Sequence, residues 1–129
     1  MAHIMIVDDE RDVATLIRFL LEKDGHTVTE AHNGTEALEK LGVDPPSAEG
    51  VAPNLIILDV MMPVMDGYTV CTRLAGDPKT SAIPVLVLTA KGATRDLFAH
   101  SPNVASHIEK PFDPKHLRDL VSGMLNPKH

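Results

Sequence analysis

The chain has 129 residues, 43% of them apolar, which is enough for one domain with a core that needs no covalent staples. With no Trp, one Tyr and three Phe, that core must be aliphatic. A formal charge of −6 argues against a nucleic-acid footprint, and neither a membrane-spanning apolar run of roughly 18 residues nor a signal peptide is visible.

His3 to Val7 is a short apolar run that stops at Asp8-Asp9-Glu10. A run without polar alternation suits a strand buried on both faces of a parallel sheet. Val13, Leu16, Ile17, Leu20 and Leu21 then recur at helical spacing and predict one buried helix face. Asp12 lies at the end of that helix that favours negative charge, and Gly25 is its stop. His26 to Ala31 carries Thr27, Val28 and Thr29 and reads as a more polar strand, hence an edge. Asn33 can cap a helix whose apolar face is Ala37, Leu38 and Leu41. Gly42 to Pro53, with three prolines and two glycines, is a loop that is long for a compact α/β unit and shows no chemistry of its own.

After Asn54, the four apolar residues Leu55 to Leu58 predict a second fully buried strand, and it stops at a single carboxylate, Asp59. Pro63 and Asp66-Gly67 force a loop before the helix from Tyr68 to Leu74, which turns Val70, Cys71 and Leu74 inward. Cys71 is the one cysteine; no positive neighbour activates it, it reads as core, and its solitude fits a reducing cytoplasm. Val85 to Leu88 is another apolar strand, ending at Thr89-Ala90. A short helix with Leu97 and Phe98 follows over 94–100, then a strand from Ala105 to Ile108 before Glu109-Lys110-Pro111. Asp113 and Pro114 open a last helix with Leu117, Leu120, Val121 and Met124 on one face, and Asn126-Pro127 ends it.

Five strands alternating with five helices predict right-handed βαβ units and a doubly wound parallel α/β sheet, in a single domain over residues 1–129. All strand ends then share the sheet edge at which α/β proteins bind ligands. That edge collects Asp8, Asp9, Glu10, Asp59, Thr89 and Lys110. Clustered acids repel unless a cation neutralises them, and oxygen donors without His or Cys at ligand spacing favour a hard divalent ion. A lysine and a hydroxyl among them suit a phosphoryl group. Each feature also has a plain reading when taken alone: a solvated acidic turn, a β-branched strand end, a surface lysine. The seven histidines lack metal spacing, and Met61, Met62 and Met65 read as gap-filling beside a core.

Jointly, Asp8-Asp9, the run from Leu58 and Asp59 to Asp66-Gly67, Thr89-Ala90 and Lys110-Pro111-Phe112 resemble the receiver domain of two-component response regulators, over nearly the whole chain. The resemblance implies a flavodoxin-like (βα)5 fold of strand order 2-1-3-4-5. It implies that Asp59 accepts a phosphoryl group from a sensor histidine kinase or a histidine phosphotransfer protein, and that the chain catalyses only its own phosphorylation and dephosphorylation. It further implies a Mg²⁺ ion held by Asp9, Asp59 and the Met61 backbone carbonyl, with Asp8 acting mostly through water. Thr89 and Lys110 would contact the phosphoryl oxygens, and Lys110-Pro111 would be a cis peptide. The signal would pass to a downstream protein through the fourth helix, fifth strand and fifth helix, and a dimer formed on phosphorylation is compatible with that surface. Met61 and Lys91 stand where receivers tune dephosphorylation; Met61 cannot orient a water, so a long-lived phosphoryl group is expected.

Three departures from the family pattern stand out. The Gly42–Pro53 loop is long, Asn103 to Ser106 replaces the usual approach to the fifth strand, and His107 stands where Tyr or Phe is common. An imidazole there must satisfy two ring nitrogens whenever it swings inward to follow Thr89 in the switch. The alternative reading is a protein-binding module that uses the fold without phosphorylation. An aspartyl phosphatase is disfavoured, because such enzymes place a second Asp two residues after the nucleophile, where Met61 stands.

Overall fold

The computed structural model describes residues 2–60, 67–90 and 103–125. Met61 with its carbonyl, Met62, Pro63, Met65, Asp66, Lys91, the helix predicted over 94–100 and the Asn126-Pro127 stop lie outside these residues. Five strands, β1 (His3–Val7), β2 (Thr27–Ala31), β3 (Leu55–Asp59), β4 (Val85–Ala90) and β5 (Val104–Lys110), form one parallel sheet in the order β2-β1-β3-β4-β5. Four helices are described: α1 (Arg11–Lys23), α2 (Gly34–Lys40), α3 (Gly67–Ala75) and α4 (Pro114–Leu125), the last being the fifth helix of the sequence reading.

Residues along a strand alternate between sheet faces, and this separates two cores. Met5, Val7, Ile56, Leu58, Val85 and Val87 pack against α2 and α3 through Ala37, Leu38, Val70, Cys71 and Leu74. Ile4, Ile6, Leu55, Ile57, Leu86 and Leu88 pack against α1 and α4 through Ala14, Ile17, Leu21, Leu117 and Val121. The three central strands are thus apolar on both faces, and each fully buried Leu or Ile contributes about 1.5–3 kcal/mol. Burial pushes the Cys71 thiol up to about 12, so it is an inert core residue.

The structure corrects the sequence reading in α1. Leu16 is 45% exposed and does not join the buried stripe. Ala14, Ile17 and Leu21 face the sheet, with Val13 and Leu20 beside them, which rotates Leu16 and Phe19 outward. The Lys23 ammonium lies 5.5 Å from the Phe19 ring centre and covers part of it. The strand predicted at 105–108 is also longer. Val85 pairs with Val104 but Leu86 pairs with Ser106, so Ala105 is an extra residue, and pairing then continues to Ala90 and Lys110.

Local signals set the remaining boundaries. The Asn33 side chain accepts the Glu36 N–H at 2.7 Å and caps α2. Gly25, at φ +92°, turns the chain out of α1. The 42–53 loop is packed, with Val43 and Pro53 buried. Lys79 donates to the Gly42 carbonyl at 3.0 Å and to that of Ser47, Arg73 pairs with Asp44 at 2.9 Å, and the Asp44-Pro45 peptide is cis.

Arg118 on α4 grips Asp24, at the end of α1, with both guanidinium and carboxylate groups bidentate. The hydrogen bonds from Arg118 hold the Asp24 carboxyl below its ordinary value of 3.8. A lowered carboxylate adds stability above that value and loses it as pH falls through the folded-state value. Arg118→Ala is expected to lower the melting temperature at neutral pH, with the difference from wild type vanishing in acid once Asp24 is protonated. Thermal melts across pH measure this; a pH-independent difference would place the effect of Arg118 in packing alone.

Candidate functional site

The carboxyl ends of β1, β3, β4 and β5 meet at one edge of the sheet. Asp8, one residue past β1, is fully buried. Its N–H donates to the Ala31 carbonyl at 3.0 Å, which extends the β1–β2 pairing by one residue. Its Oδ1 accepts the Glu10 N–H at 2.9 Å, an Asx turn that fixes the carboxylate and redirects the chain into α1. Asp59, the last residue of β3, is 2% exposed. Past it, the Val60 N–H donates to Leu88 at 3.1 Å, so the strand stays paired beyond the carboxylate. At the start of α3, Gly67 packs directly on this strand end: a Cβ there would lie 2.6 Å from Val60 Cα and 2.8 Å from the Asp59 carbonyl oxygen.

Lys110, the last residue of β5, reaches into this edge. Its ammonium lies 3.1 Å from Asp8 Oδ2, 3.1 Å from Glu10 Oε1 and 3.4 Å from Asp59 Oδ2. Burial alone would lower the Lys110 pKa, but the hydrogen bonds to Asp8 and Glu10 and the charge of Asp59 outweigh it and raise it. Lys110 is therefore charged at neutral pH, and it offsets two carboxylates that would be costly to bury alone. Thr89 is buried on β4, and its hydroxyl donates to the Ile108 carbonyl at a long 3.5 Å. The Lys110-Pro111 peptide is cis.

The expected residues do not all converge. Asp8, Asp59 and Lys110 come together, and Asp59 is flanked by the strand that carries Thr89. Asp9 is exposed, and its carboxylate makes no hydrogen bond or ion pair among the described residues. Glu10, which the sequence also offers at the end of β1, pairs with Lys110 at 3.1 Å. Asp8, Glu10 and Asp59 each bring a carboxylate oxygen within 4.8 Å of the others. An all-oxygen set of this kind fits a hard divalent cation. The signal in the sequence is the Asp-x-Glu spacing across the turn into α1, since the Asx turn at Asp8 brings the side chain of Glu10 back over the strand end.

His107 is half-buried on β5, opposite Val87 on β4. It lines a groove of about 430 Å³ together with Glu109, Phe112, Asp113 and His116, between the end of β5 and the start of α4. Asn103, before β5, is buried: its carbonyl accepts the Val85 N–H at 2.8 Å, and its amide donates to the Cys71 carbonyl at 3.4 Å.

The sheet order and this edge, with buried acids around one lysine, define the class: a receiver of two-component signalling. The sequence model of the response regulator receiver domain matches residues 4–122, and the chain belongs to that family. It is 38% identical over 119 residues to an uncharacterised 14.6 kDa protein of Leptolyngbya boryana, covering 92% of this chain and 86% of that one. It is 30% identical to the protein PilH of Pseudomonas aeruginosa, over 97% of this chain and 98% of that one. Against the DNA-binding dual master transcriptional regulator RpaA of Synechocystis it is 36% identical, over 97% of this chain and 49% of that one. The chain thus spans about half the length of several curated relatives it matches. A putative response regulator from Chloroflexus aurantiacus has the same fold at a TM-score of 0.83, with 32% identity, covering 97% of this chain and 98% of that one. Receiver domains are signalling domains, not enzymes acting on a separate substrate.

Proposed function

We propose that residues 1–129 act as a single receiver domain and cytoplasmic phosphorylation switch, in which Asp59 accepts a phosphoryl group from a phosphohistidine of a sensor histidine kinase or histidine phosphotransfer protein. The observation that carries this reading is the Lys110 ammonium, 3.4 Å from a buried aspartate at the end of an otherwise apolar strand. An Asp59 carboxylate oxygen attacks phosphorus as the N–P bond breaks, and the donor imidazole leaves with that electron pair. A carboxylate is a weak nucleophile, so alignment and charge neutralisation carry the reaction. Lys110 supplies a positive charge beside the acceptor, and Thr89 supplies a hydroxyl from the neighbouring strand. Asp59→Asn is expected to abolish labelling by a small phosphodonor in the presence of Mg²⁺, where wild type gains one phosphoryl group by intact mass. A wild-type chain that takes none would leave a binding module on this fold.

Asp9, Asp59 and the Met61 carbonyl would hold a Mg²⁺ ion, with Asp8 in support. Such an ion, when bound, offsets the charge of the acids and of the phosphoryl oxygens. Asp8 has both oxygens engaged, one with the Glu10 N–H and one with Lys110, whereas the Asp9 carboxylate faces solvent. Asp9→Ala is therefore expected to weaken Mg²⁺ binding far more than Asp8→Ala in titrations without phosphodonor. The reverse order would make Asp8 the direct ligand.

The switch couples Thr89 to His107, and through β5 and α4 to a downstream protein or a second copy of the chain. His107 lies two pairing positions from Thr89 along the β4–β5 ladder, beside the groove at the start of α4. As the Thr89 hydroxyl turns toward the phosphoryl group, His107 takes the space it leaves. Imidazole NMR signals of His107 are expected to move when a phosphoryl mimic and Mg²⁺ are added, and identical signals in both states would remove His107 from the switch.

A further inference from the structure

An ammonium has three N–H donors. The Lys110 ammonium donates to Asp8 and Glu10 at 3.1 Å each and lies within 3.4 Å of Asp59. Three carboxylates thus crowd one ammonium, two of them through hydrogen bonds, and a phosphoryl oxygen that approaches Lys110 competes with them for it. Asp8 is fully buried, and stripping it of its lysine would strand a charge away from water. Asp59 is itself the acceptor and remains in the site. Glu10 differs from both: its side chain is 61% exposed and can return to water at little cost. Its backbone, in contrast, is held on both sides, with the N–H on Asp8 Oδ1 and the carbonyl accepting the Ala14 N–H at 3.1 Å. The side chain can therefore swing away without disturbing the turn or α1.

We propose that Glu10 is a positioning residue that gates the acceptor: its carboxylate occupies a Lys110 donor for which a phosphoryl oxygen competes, and an incoming phosphodonor displaces it. The proposal rests on Asp59 being the phosphoryl acceptor. Two consequences follow from the charge of Glu10. It repels any dianionic donor that approaches Lys110, and it holds one Lys110 donor whenever no phosphoryl group is present. A small free phosphodonor must displace Glu10 with its phosphoryl group alone. A protein donor has binding energy from remote contacts to spend on the same displacement. Glu10 thus biases the receiver against small anionic phosphodonors and toward a docked protein.

The test compares wild type with Glu10→Gln, using acetyl phosphate and Mg²⁺ and following labelling by intact mass. At low salt the variant is expected to label about two- to fivefold faster, the scale of a partly exposed ion pair. The advantage should shrink toward unity in 1 M salt, where the Debye length is about 3 Å. Without donor or Mg²⁺, the side-chain ammonium NMR signal of Lys110 should shift in the variant, a change that a merely structural role elsewhere would not produce. Each protein is labelled at a Mg²⁺ concentration that saturates it, titrated beforehand without donor, so that a change in ion affinity does not enter the comparison of rates. A variant that labels at the wild-type rate or slower at low salt overturns the gate, as does an unmoved Lys110 signal. If wild type labels at Asp59 and the variant behaves identically, only the gate fails; if wild type accepts no phosphoryl group, the acceptor assignment falls and takes the gate with it.

Discussion

The ion pairing of Lys110 with two buried carboxylates is the constraint around which the functional edge is built. Asp8 is fully buried and Asp59 is 2% exposed, and burying two carboxylates in an aliphatic surrounding is costly without a nearby positive charge. That charge arrives from a strand more than fifty residues away in sequence, so the site exists only once β5 has docked on β4. Folding of the sheet and assembly of this charged edge are for this reason one event. The arrangement also places Asp59 close to a cation, which suits the phosphoryl-accepting role proposed for it.

The sheet supplies the rigidity this requires. Asp59 continues a strand whose every residue is buried, and hydrogen bonding to β4 runs past it to Val60. The direct seating of Gly67 on the Asp59–Val60 backbone brings α3 closer than any side chain would permit. On the far side, the extra residue at Ala105 shifts the β5 register so that Lys110 is still paired with the sheet when it reaches the edge.

The outer strand β2 is managed differently. Its polar side carries Glu30, which pairs with Arg18 at 3.2 Å and with His32 at 3.0 Å, while Lys40 donates to the Glu30 carbonyl at 2.7 Å. Charged side chains from α1 and α2 thereby occupy an edge whose open backbone would otherwise invite pairing with another chain. The 42–53 loop is fastened in the same manner, by Lys79 and Arg73 from α3 and the turn after it.

The sequence by itself determined the strands, their buried or edge character, and the presence of Asp8, Asp59, Thr89 and Lys110 at strand ends. Apolar run length and period are local properties, and a doubly wound sheet follows from their alternation. The caps at Asn33 and Asp113 were legible for the same reason, since each acts within one turn. Tertiary structure decided which side chains converge. Helical spacing admits Leu16 to the buried stripe of α1, but the angle at which α1 leaves the Asp8 turn rotates it into solvent. Three consecutive acids follow β1, and nothing in their order says that Glu10 would turn back to Lys110 while Asp9 faces outward. That choice depends on where the ammonium stands, and it stands there because of a register shift between two strands, a long-range fact that no local pattern encodes.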